Sequence, residues 1–578
     1  MNDTTINHDA PVAVPPSDVV FGSDAIASVL RTLDIPYIAL NPGASYRGLH
    51  DSIVNYLGNR TPQMILCLHD EHAVSIAQGY CKASDRMMAA ALHSNVGLMH
   101  ATMPIFNSWC DRTPVLIIGA TGAWDAAKRR PWIEWIHTCS DQAGLVRNYT
   151  KWDNQPGSVA ATTEALLRAA QIAQTAPRGP VYVNLDVSIQ EQRLDALPAM
   201  PDVSRYPVPQ AVQPAPELLD HAARLLSGAK NPVMLAGRCS RSPDAWNARV
   251  ALAEKLNIPV LTHIKLAAAF PTDHPLHAAP PGNRLPADAK KLLAQADVIL
   301  SLDWLDLGGA LKQAADGGEV KAKIIQVSCD AHSHRGWSMD YHILPPVDVY
   351  LMCEPDAAVP LLLDAVQPRA ATYKRTPKMS PKPEKDLTIS GVAHTLEEAT
   401  RGIERCITRL PLGWHGGYAH FRHPLDYVGF DGGGGVGAGP GITVGAALAL
   451  KGSGRLPIGL MGDGDFLMGN TAVWTAAHYG IPCLMIVCNN RSYYNDELHQ
   501  ERVAVARGRP PENRWIGQRI SDPDIDIAAM ARAQGAKAIG PVTSVEAMQA
   551  AAKEGVATVR EGGVCVIDAR VMPGYDGE

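Results

Sequence analysis

Several patterns that would assign this sequence to a common class of protein are absent. Its 11 cysteines include no Cys-x-x-Cys pair, which excludes the usual zinc spacings and a disulfide framework, so we expect reduced thiols and a cytoplasmic protein. No apolar run approaches the ~20 residues that a membrane-spanning helix needs. The net charge is −6 and no basic run occurs, which argues against nucleic-acid binding. A small-molecule partner is therefore favoured.

The residues that are present indicate a large α/β protein. A chain of 578 residues is too long for one core and predicts about three domains. It is 46% hydrophobic and 19% charged, with 49 glycines, as is typical of a compact protein. Short apolar runs alternate with helical patterns, as parallel sheets covered on both faces require. We predict an α/β fold with three doubly wound parallel-sheet domains.

Proline-rich segments divide the predicted domains. Residues 1–17 are polar, and we expect a flexible tail there and no signal peptide. The linkers lack apolar periodicity. The predicted domains are 18–195, 218–366 and 388–578, and the linkers between them are 196–217 and 367–387. The predicted strands are 35–40, 64–68, 87–92, 114–120 and 179–185, then 231–237, 258–263, 296–303 and 322–328, and finally 455–465, 481–490 and 562–569.

The most specific motif combines a Gly-Asp-Gly segment with an Asn-Asn segment, each after a buried strand. Asp463 and Asn490 are one strand-to-strand crossover apart. Because ligands bind beyond the carboxyl ends of parallel strands, both side chains should face one crevice. They offer the oxygen ligands that a hard divalent cation prefers. Gly462 and Gly464 let backbone N–H groups approach a diphosphate beside a helix N-terminus, so the motif predicts Mg²⁺ plus diphosphate.

Two simpler interpretations of this motif are less favoured. A Gly-Asp-Gly segment alone would indicate only a turn, but its spacing to the Asn-Asn segment after a second buried strand favours a binding site. A nicotinamide-dependent oxidoreductase would also have doubly wound domains. No Gly-x-Gly-x-x-Gly lies between a strand and a helix in the right setting, so that function is disfavoured.

With these motifs, the chain resembles the thiamine diphosphate-dependent enzymes of the acetolactate synthase, pyruvate oxidase and benzoylformate decarboxylase type. The resemblance covers nearly the whole chain after residue 18 and implies pyrimidine-binding, central and diphosphate-binding domains in that order. It implies thiamine diphosphate and Mg²⁺ as cofactors, with the metal bound by Asp463, Asn490 and the main-chain carbonyl of Ser492. The segment 301–309 departs from the glycine and arginine pattern of flavin-binding relatives, so FAD is not expected.

The resemblance also assigns contacts with the cofactor. The segment "GWHGGY" (413–418) takes the place of one that touches the diphosphate, and Val436 in the tract 429–449 takes the place of an apolar residue that holds the cofactor bent. The loop 92–101 is placed near the cofactor through its central glycine and the preceding Ser94 and Asn95. The implied cofactor-binding residues are Gly97, His415, Gly416, Val436, Gly462, Gly464 and Asp465.

Two adjacent acids at the start of a helix, Asp70 and Glu71, are candidate catalytic residues. Acids in a first helical turn have an ordinary explanation, because they complement the helix N-terminus. In the family, a glutamate from one subunit bonds the pyrimidine N1' of a cofactor held by another, which implies a homodimer or homotetramer with active sites at the interface. Relatives typically have this glutamate nine positions before the glycine of a Gly-Tyr pair, so the resemblance, applied to Gly79–Tyr80, selects Asp70. Glu71 has the family's residue type but stands one position later, about 100° away on a helix.

Other side chains are expected to line the pocket. Histidine titrates near neutral pH, so the nearby histidines are candidate proton-transfer groups, and His93 is favoured. These candidates are His69, His72, His93 and His100. The helical spacing of Trp132, Trp135 and Ile136 predicts interface or core packing rather than a substrate box. Tyr493 and Tyr494 are expected to close the pocket, and the segment 495–520 resembles those that cover the active site in relatives.

The predicted function is the making or breaking of a C–C bond next to a carbonyl, as in a 2-oxo acid decarboxylase or carboligase. The fold alone does not determine the substrate. The alternative is a cofactor-binding protein with weak or lost catalysis, because Asp70 is shorter than glutamate by one methylene, roughly 1.5 Å.

Overall fold

The structure is a computed structural model that describes residues 9–13, 18–315, 318–333, 344–370, 373 and 385–574. Most of the predicted tail (1–17) and much of the predicted second linker (367–387) lie outside these residues. Among the helices of the described ranges, none combines the length and apolar character needed to cross a membrane.

Within its described residues, the first domain contains eight strands, of which six form one sheet and two form a separate pair. Its strands are β1 (Val20–Phe21), β2 (Tyr37–Leu40), β3 (Gln63–Leu66), β4 (Met88–Leu92), β5 (Val115–Thr121), β6 (Asp153–Asn154), β7 (Val181–Asp186) and β8 (Arg193–Leu194). Its helices are α1 (Gly22–Thr32), α2 (Arg47–Asp51), α3 (Asp70–Ser84), α4 (Ser94–His100), α5 (Thr102–Cys110), α6 (Ile133–Ile136), α7 (Val159–Gln174) and α8 (Val187–Gln190). The sheet order is β3-β2-β4-β5-β7-β6 with parallel neighbours, whereas β1 and β8 form a separate antiparallel pair.

The second domain contains a five-stranded parallel sheet. Its strands are β9 (Pro232–Ala236), β10 (Val260–Thr262), β11 (Val298–Leu302), β12 (Lys323–Val327) and β13 (Val349–Leu351). Its helices are α9 (Pro216–Gly228), α10 (Pro243–Leu256), α11 (Ala287–Gln295), α12 (Leu307–Ala315), α13 (Asp330–Ser333) and α14 (Pro355–Ala365). The sheet order is β10-β9-β11-β12-β13.

The third domain contains another five-stranded parallel sheet. Its strands are β14 (Arg405–Arg409), β15 (Leu456–Gly462), β16 (Cys483–Asn489), β17 (Lys537–Val542) and β18 (Val564–Arg570). Its helices are α15 (Ile389–Ala399), α16 (Ala438–Leu450), α17 (Asp463–Gly469), α18 (Ala472–His478), α19 (Tyr494–Ala506), α20 (Ile527–Ala533) and α21 (Val545–Arg560). The order β14-β15-β16-β18-β17 puts the two motif-bearing strands, β15 and β16, side by side.

The predicted fold class, three doubly wound parallel-sheet domains, is confirmed. Every predicted strand corresponds to an observed one, because these strands, most of them central and covered on both faces, are formed by mainly apolar runs. The two-residue strands β1, β6 and β8 are too short to give an apolar run and were not predicted. Strands β13, β14 and β17 were not predicted either. Each lies at the edge of its sheet, and the last two begin with Arg405 and Lys537, so their apolar runs are short.

Helices α3 and α16 bring the first and third domains into close backbone contact. A Cβ atom added to Gly445 would lie 1.9 Å from the carbonyl oxygen of Ile76, and one added to Gly79 would lie 2.2 Å from that of Ile442. Only glycine permits such an approach. Apolar side chains of both helices then share one hydrophobic core, so the two domains are packed as a unit.

Side chains of the third domain also satisfy the backbone at the edge of the first sheet. The Leu66 N–H donates to the Tyr479 hydroxyl at 2.9 Å, and the Thr475 hydroxyl donates to the Leu66 carbonyl oxygen at 3.0 Å. The Tyr479 hydroxyl in turn donates to Asp9 Oδ2 at 2.6 Å, so part of the N-terminal segment is bound at this junction.

The contact between α3 and α16 can be tested with Gly445→Ala. The added methyl would collide with the Ile76 carbonyl, and such overpacking costs about 2 kcal/mol, more than alanine gains in helix propensity. We expect the thermal unfolding temperature to fall by several degrees. Gly157→Ala is the control, because nothing lies within 4 Å of a Cβ at that position. Equal unfolding temperatures for the two variants would contradict this account of the contact.

Candidate active site

The predicted metal ligands lie together at the ends of two adjacent strands. Asp463 follows β15, and Asn490 follows β16. The Ser492 N–H donates to Asp463 Oδ2 at 3.1 Å and to Asn490 Oδ1 at 3.0 Å, so the three residues meet around one backbone amide. Asp463 and Asn490 thus lie close together, as the rule for strand ends predicts, and their role as metal ligands stays a prediction.

The charge and donor set of this crevice suit a cation. Asp463 is 3% exposed, and burial raises the pKa of its carboxyl to about 6. Its carboxylate accepts hydrogen bonds from backbone N–H groups, such as that of Gly464 at 3.0 Å. Burial and these backbone bonds account for the pKa shift, and no cationic side chain of the described residues is among its causes. No group of three His, Cys, Asp or Glu side chains suited to a metal occurs in the described ranges. One carboxylate, one amide, a backbone carbonyl and phosphate oxygens nevertheless form a donor set that fits Mg²⁺.

Asp465, by contrast, is engaged with the protein. Its Oδ2 accepts a hydrogen bond from Arg409 Nε at 2.8 Å, and its Oδ1 accepts the N–H groups of Gly437 at 2.7 Å and Gly439 at 3.1 Å. Arg409 Nη1 also lies 2.8 Å from Asp431 Oδ2. The carboxylate of Asp465 therefore anchors the glycine-rich loop at the start of α16, and its implied proximity to a diphosphate stays a prediction.

The roles of Arg409 and Asp431 were not predicted from the sequence. Both are buried, at 3% and 1% exposure, and Arg409 lies between the carboxylates of Asp431 and Asp465. The one available signal was an arginine at the end of an otherwise apolar run, "CITRL". A buried charge requires a partner, but the sequence does not show which acid supplies it.

The first domain holds the same glycine-rich loop from the opposite side. Asn107 Oδ1 accepts the N–H groups of Gly433 at 3.1 Å and of Gly435 at 3.4 Å. Lys82 Nζ pairs with Asp111 Oδ2 at 2.5 Å and also donates to a backbone carbonyl just before the loop. The loop is thus bonded to both domains.

The remaining predicted diphosphate contacts lie on two short segments. The Gly417 N–H donates to His415 Nδ1 at 3.1 Å, and a Cβ on Gly416 would lie 2.0 Å from the Pro281 carbonyl oxygen, so the central domain packs directly against this turn. A Cβ on Gly464 would lie 2.5 Å from the ring of Tyr493, which therefore lies over the Gly-Asp-Gly turn.

Asp70 occupies a buried position in the first domain. It is the first residue of α3 and is 5% exposed, and its Oδ1 makes no hydrogen bond within the described residues. A Cβ on Gly97 would lie 2.5 Å from Oδ1, and His100 Nδ1 lies 3.7 Å from Oδ2. Burial raises the pKa of Asp70, and the neighbouring His100 opposes that shift. One carboxylate oxygen therefore remains available to accept a hydrogen bond.

Glu71 points in a different direction. Its Oε1 lies 3.3 Å from the position of a Cβ on Gly437, beside Met468 in the third domain of the same chain. Burial and the negative charge of Asp465 raise the pKa of Glu71 to about 7. The two adjacent acids thus have separate environments, as their helical spacing predicts.

His93 lies at the end of β4 and contacts two polar residues that were not predicted. Its Nδ1 lies 2.9 Å from Ser45 Oγ, and its ring packs edge-on against that of His137 with 4.5 Å between ring centres. Burial, aided by His137, lowers the pKa of His93 and so favours the neutral imidazole. Ser45 follows β2, the neighbour of β4, so the rule that strand ends converge could have identified it.

The other predicted histidines divide into two groups. The rings of His69 and His100 are stacked, with 4.9 Å between centres, beside Asp70. His72 is buried, and its Nε2 lies 2.7 Å from Thr471 Oγ1 in the third domain, while burial lowers the pKa of its ring to about 4. His72 therefore joins the two domains, whereas the stacked pair borders the candidate pocket.

The segment with Trp132 and Trp135 was predicted to pack either at an interface or in the core, and the structure contradicts the second of these roles. Trp132 and Trp135 are 71% and 77% exposed, and Ile136 is also exposed, so core packing is wrong and interface packing remains. The reason is that α6 spans a single turn, too short to bury one face. The segment 495–520 forms α19 and a following loop whose backbone bonds to residues 491–493.

The segment 301–309 of the central domain carries a buried ionic cluster. Asp303 Oδ2 lies 2.8 Å from Arg112 Nη1, and its Oδ1 accepts the Ser328 hydroxyl at 2.6 Å. Arg238 Nη1 lies 3.4 Å from Oδ1. These contacts do not test the expectation that FAD is absent, which stays a prediction.

Comparison with protein families assigns all three domains. The model described as "Thiamine pyrophosphate enzyme, N-terminal TPP binding domain" matches residues 21–162. The corresponding central-domain model matches residues 219–351, and the "C-terminal TPP binding domain" model matches residues 411–569.

Individual relatives agree with these matches. The chain is 27% identical over 513 residues to a benzoylformate decarboxylase from Pseudomonas aeruginosa, covering 86% of this chain and 90% of the relative. It is 24% identical over 555 residues to a probable acetolactate synthase large subunit from Methanocaldococcus jannaschii, covering 89% and 87%. The crystal structure of benzoylformate decarboxylase from Polynucleobacter necessarius shares the fold, with a TM-score of 0.78, 21% identity and coverage of 96% and 99%.

The environment of Glu71 predicts a pH-dependent stability difference. The pKa of Glu71 is about 7 in the folded protein and 4.5 in the unfolded chain. The contribution of Glu71 to the free energy of unfolding is therefore highest below pH 4.5 and falls as the pH rises towards 7. Glu71→Gln removes this loss. Relative to wild type, the cofactor-free variant should gain on the order of 1 kcal/mol between pH 5 and pH 8, discounted for partial exposure, in urea unfolding.

The control for this measurement is Glu217→Gln, an exposed glutamate on α9. Its difference from wild type should be the same at pH 5 and pH 8. If Glu71→Gln behaved like this control, Glu71 would not be held in the buried environment described above.

Proposed function

The chain belongs to the thiamine pyrophosphate-dependent enzymes, and we propose that it uses thiamine diphosphate with Mg²⁺ to make or break a C–C bond next to the carbonyl of a 2-oxo acid. One observation carries the proposal. Asp463 and Asn490 converge on the Ser492 amide in a buried crevice where no protein cation compensates the carboxylate. A metal ion there would compensate it and bind a diphosphate at the same time.

The residues of the third domain would bind and orient the cofactor. Asp463, Asn490 and the Ser492 carbonyl would hold Mg²⁺, and the backbone around Gly462 and Gly464 would face the diphosphate near the start of α17. His415, Gly416 and Val436 complete the proposed set. When bound, the cofactor supplies a nucleophilic carbon that attacks a carbonyl and then stabilises negative charge on it.

The residues of the first domain would control protons. The unbonded Asp70 Oδ1 is the group we assign to hydrogen-bond the pyrimidine ring, because Glu71 is turned towards Gly437 of its own chain. The contact between His93 Nδ1 and Ser45 leaves Nε2 as the nitrogen that can exchange a proton with a substrate.

A second copy of the chain would complete the site. Apolar side chains near Asp70 are exposed, including those of Val96 and Met99 on α4. Val436 and Met468 beside the glycine-rich loop are exposed as well. We propose that these two surfaces meet across the interface of a homodimer or homotetramer. The free cysteines of the described residues support a reducing compartment, and we propose the cytoplasm.

A second candidate function is cofactor binding with weak or lost catalysis. The observation that favours it is the shorter side chain of Asp70, whose Oδ2 remains 3.7 Å from His100. Decarboxylation of 2-oxo acids such as benzoylformate, the substrate named by one relative, distinguishes the two functions. Turnover by the cofactor-loaded protein favours the first, and cofactor binding without turnover of any 2-oxo acid favours the second.

Thermal unfolding with thiamine diphosphate and Mg²⁺ tests the proposed site. A ligand at about 100 times its Kd adds about 2.7 kcal/mol, so the unfolding temperature of the wild type should rise by roughly 2 °C for a chain of this length. Asp463→Ala should lose this rise. Asp220→Ala, an exposed acid on α9, should retain it. A wild type that is not stabilised, with Asp463→Ala indistinguishable from it, would refute the proposal.

A further inference from the structure

Glu497 lies at the meeting point of three segments around the candidate metal site. It is on the first turn of α19 and is 3% exposed, whereas the acid directly before it, Asp496, is exposed. Its Oε1 accepts the hydroxyl of Ser492 at 2.5 Å. Its carboxylate also faces two arginines, with Arg514 Nε 3.5 Å from Oε2 and Arg519 Nε 3.7 Å from Oε1.

The serine end of this cluster leads directly to the metal ligands. Ser492 supplies the proposed carbonyl ligand, and its N–H donates to both Asp463 and Asn490. A hydrogen bond from its hydroxyl to Glu497 therefore limits the rotation of the residue around which the ligands are arranged. Partners that orient metal ligands in this way commonly change metal affinity by about 10–100-fold when removed.

The arginine end leads to the loop 507–520 that follows α19. Two backbone hydrogen bonds attach this loop beside the metal ligands, from the Tyr493 N–H to the Gln518 carbonyl at 3.0 Å and from the Ile520 N–H to the Arg491 carbonyl at 2.7 Å. Arg514 and Arg519 lie on the loop, and their charges compensate the buried carboxylate of Glu497.

We propose that Glu497 is a positioning residue that holds the metal-binding segment 490–492 and the loop 507–520 in one arrangement. This inference rests on the proposed function, since it takes Asp463, Asn490 and Ser492 as the metal ligands. The two ends of the cluster can be separated chemically. A glutamine keeps an acceptor for the Ser492 hydroxyl but loses the charge that attracts the arginines. An alanine loses both.

Metal affinity and proteolysis provide two independent readouts. Binding of Mn²⁺, a probe for Mg²⁺, is measured by electron paramagnetic resonance in the presence of thiamine diphosphate. We expect the Kd for Mn²⁺ to rise at least 10-fold in Glu497→Ala and to stay within about 3-fold of wild type in Glu497→Gln. Trypsin should cleave after Arg514 and Arg519 faster in both variants, because both lose the charge that compensates the arginines.

Two further variants separate this role from general damage. Glu501 lies on α19 and also pairs with Arg514 of the loop, but it makes no bond to Ser492. Glu501→Ala should therefore leave the Kd for Mn²⁺ unchanged. Ser492→Ala removes the hydroxyl that bonds Glu497 and, at 3.4 Å, the Gln518 carbonyl, but it leaves the arginine contacts of Glu497 in place. The Kd should therefore rise as in Glu497→Ala, while cleavage after Arg514 and Arg519 increases less than in Glu497→Gln. If Glu497→Ala does not fold, Ser492→Ala still tests the contact with the metal ligands, and Glu497→Gln still tests the contact with the arginines of the loop.

The outcomes distinguish this inference from the function on which it rests. A wild type that binds no Mn²⁺ with thiamine diphosphate would overturn both. Wild-type binding together with an unchanged Kd in Glu497→Ala and Ser492→Ala would overturn the role of Glu497 alone. If trypsin cleaved the loop of Glu497→Gln at the wild-type rate, the proposal that the Glu497 charge holds the loop 507–520 would be overturned.

Discussion

The close packing of α3 against α16 is the constraint on which the candidate site depends. Gly79 and Gly445 let the two helices approach so closely that neither can rotate without a backbone collision. This fixes the direction of the residues at the start of α3. Asp70 is thereby turned towards Gly97, and Glu71 is turned towards Gly437 at the start of α16. One helix contact thus gives two neighbouring acids different environments.

The distribution of buried charge separates binding groups from structural ones. Asp465 is compensated by Arg409 and by backbone N–H groups, so its charge is used to fix the glycine-rich loop. Asp463, two residues earlier, also accepts backbone N–H groups but forms no ion pair with an arginine of the described residues, and burial raises its pKa to about 6. Since an uncompensated buried carboxylate is costly, Asp463 is suited to bind a cation and Asp465 to stabilise the loop.

The sequence predicts those features that follow from a repeated pattern. Central strands such as β4 and β16 are apolar throughout, and the rule for strand ends brings Asp463 and Asn490 together. Pairings between distant residues carry no such pattern. Arg409 and Asp465 belong to different elements, and nothing in either local sequence identifies the other. The exposure of Trp135 was unpredictable for a related reason, since helical spacing does not reveal that α6 ends after one turn.

The orientation of α3 also determines which acid would face a cofactor held by a second copy of the chain, as proposed above. Asp70, at 5% exposure, borders Gly97 and His100 of its own domain, whereas Glu71 is partly exposed and lies beside Gly437 of the third domain. The assignment of Asp70 therefore rests on its unbonded Oδ1 and on the direction in which it leaves α3, although residue type alone would favour the glutamate. Geometry therefore outweighs side-chain length in this assignment.

The most direct test of this assignment is the rate at which bound thiamine diphosphate exchanges its C2 proton for deuterium, followed by NMR after acid quenching. The account predicts that Asp70→Ala slows exchange by about 10²–10⁴, as expected for the loss of a group that assists proton transfer. Glu71→Ala should leave the rate within about 3-fold of wild type. A large loss in Glu71→Ala with normal exchange in Asp70→Ala would contradict it.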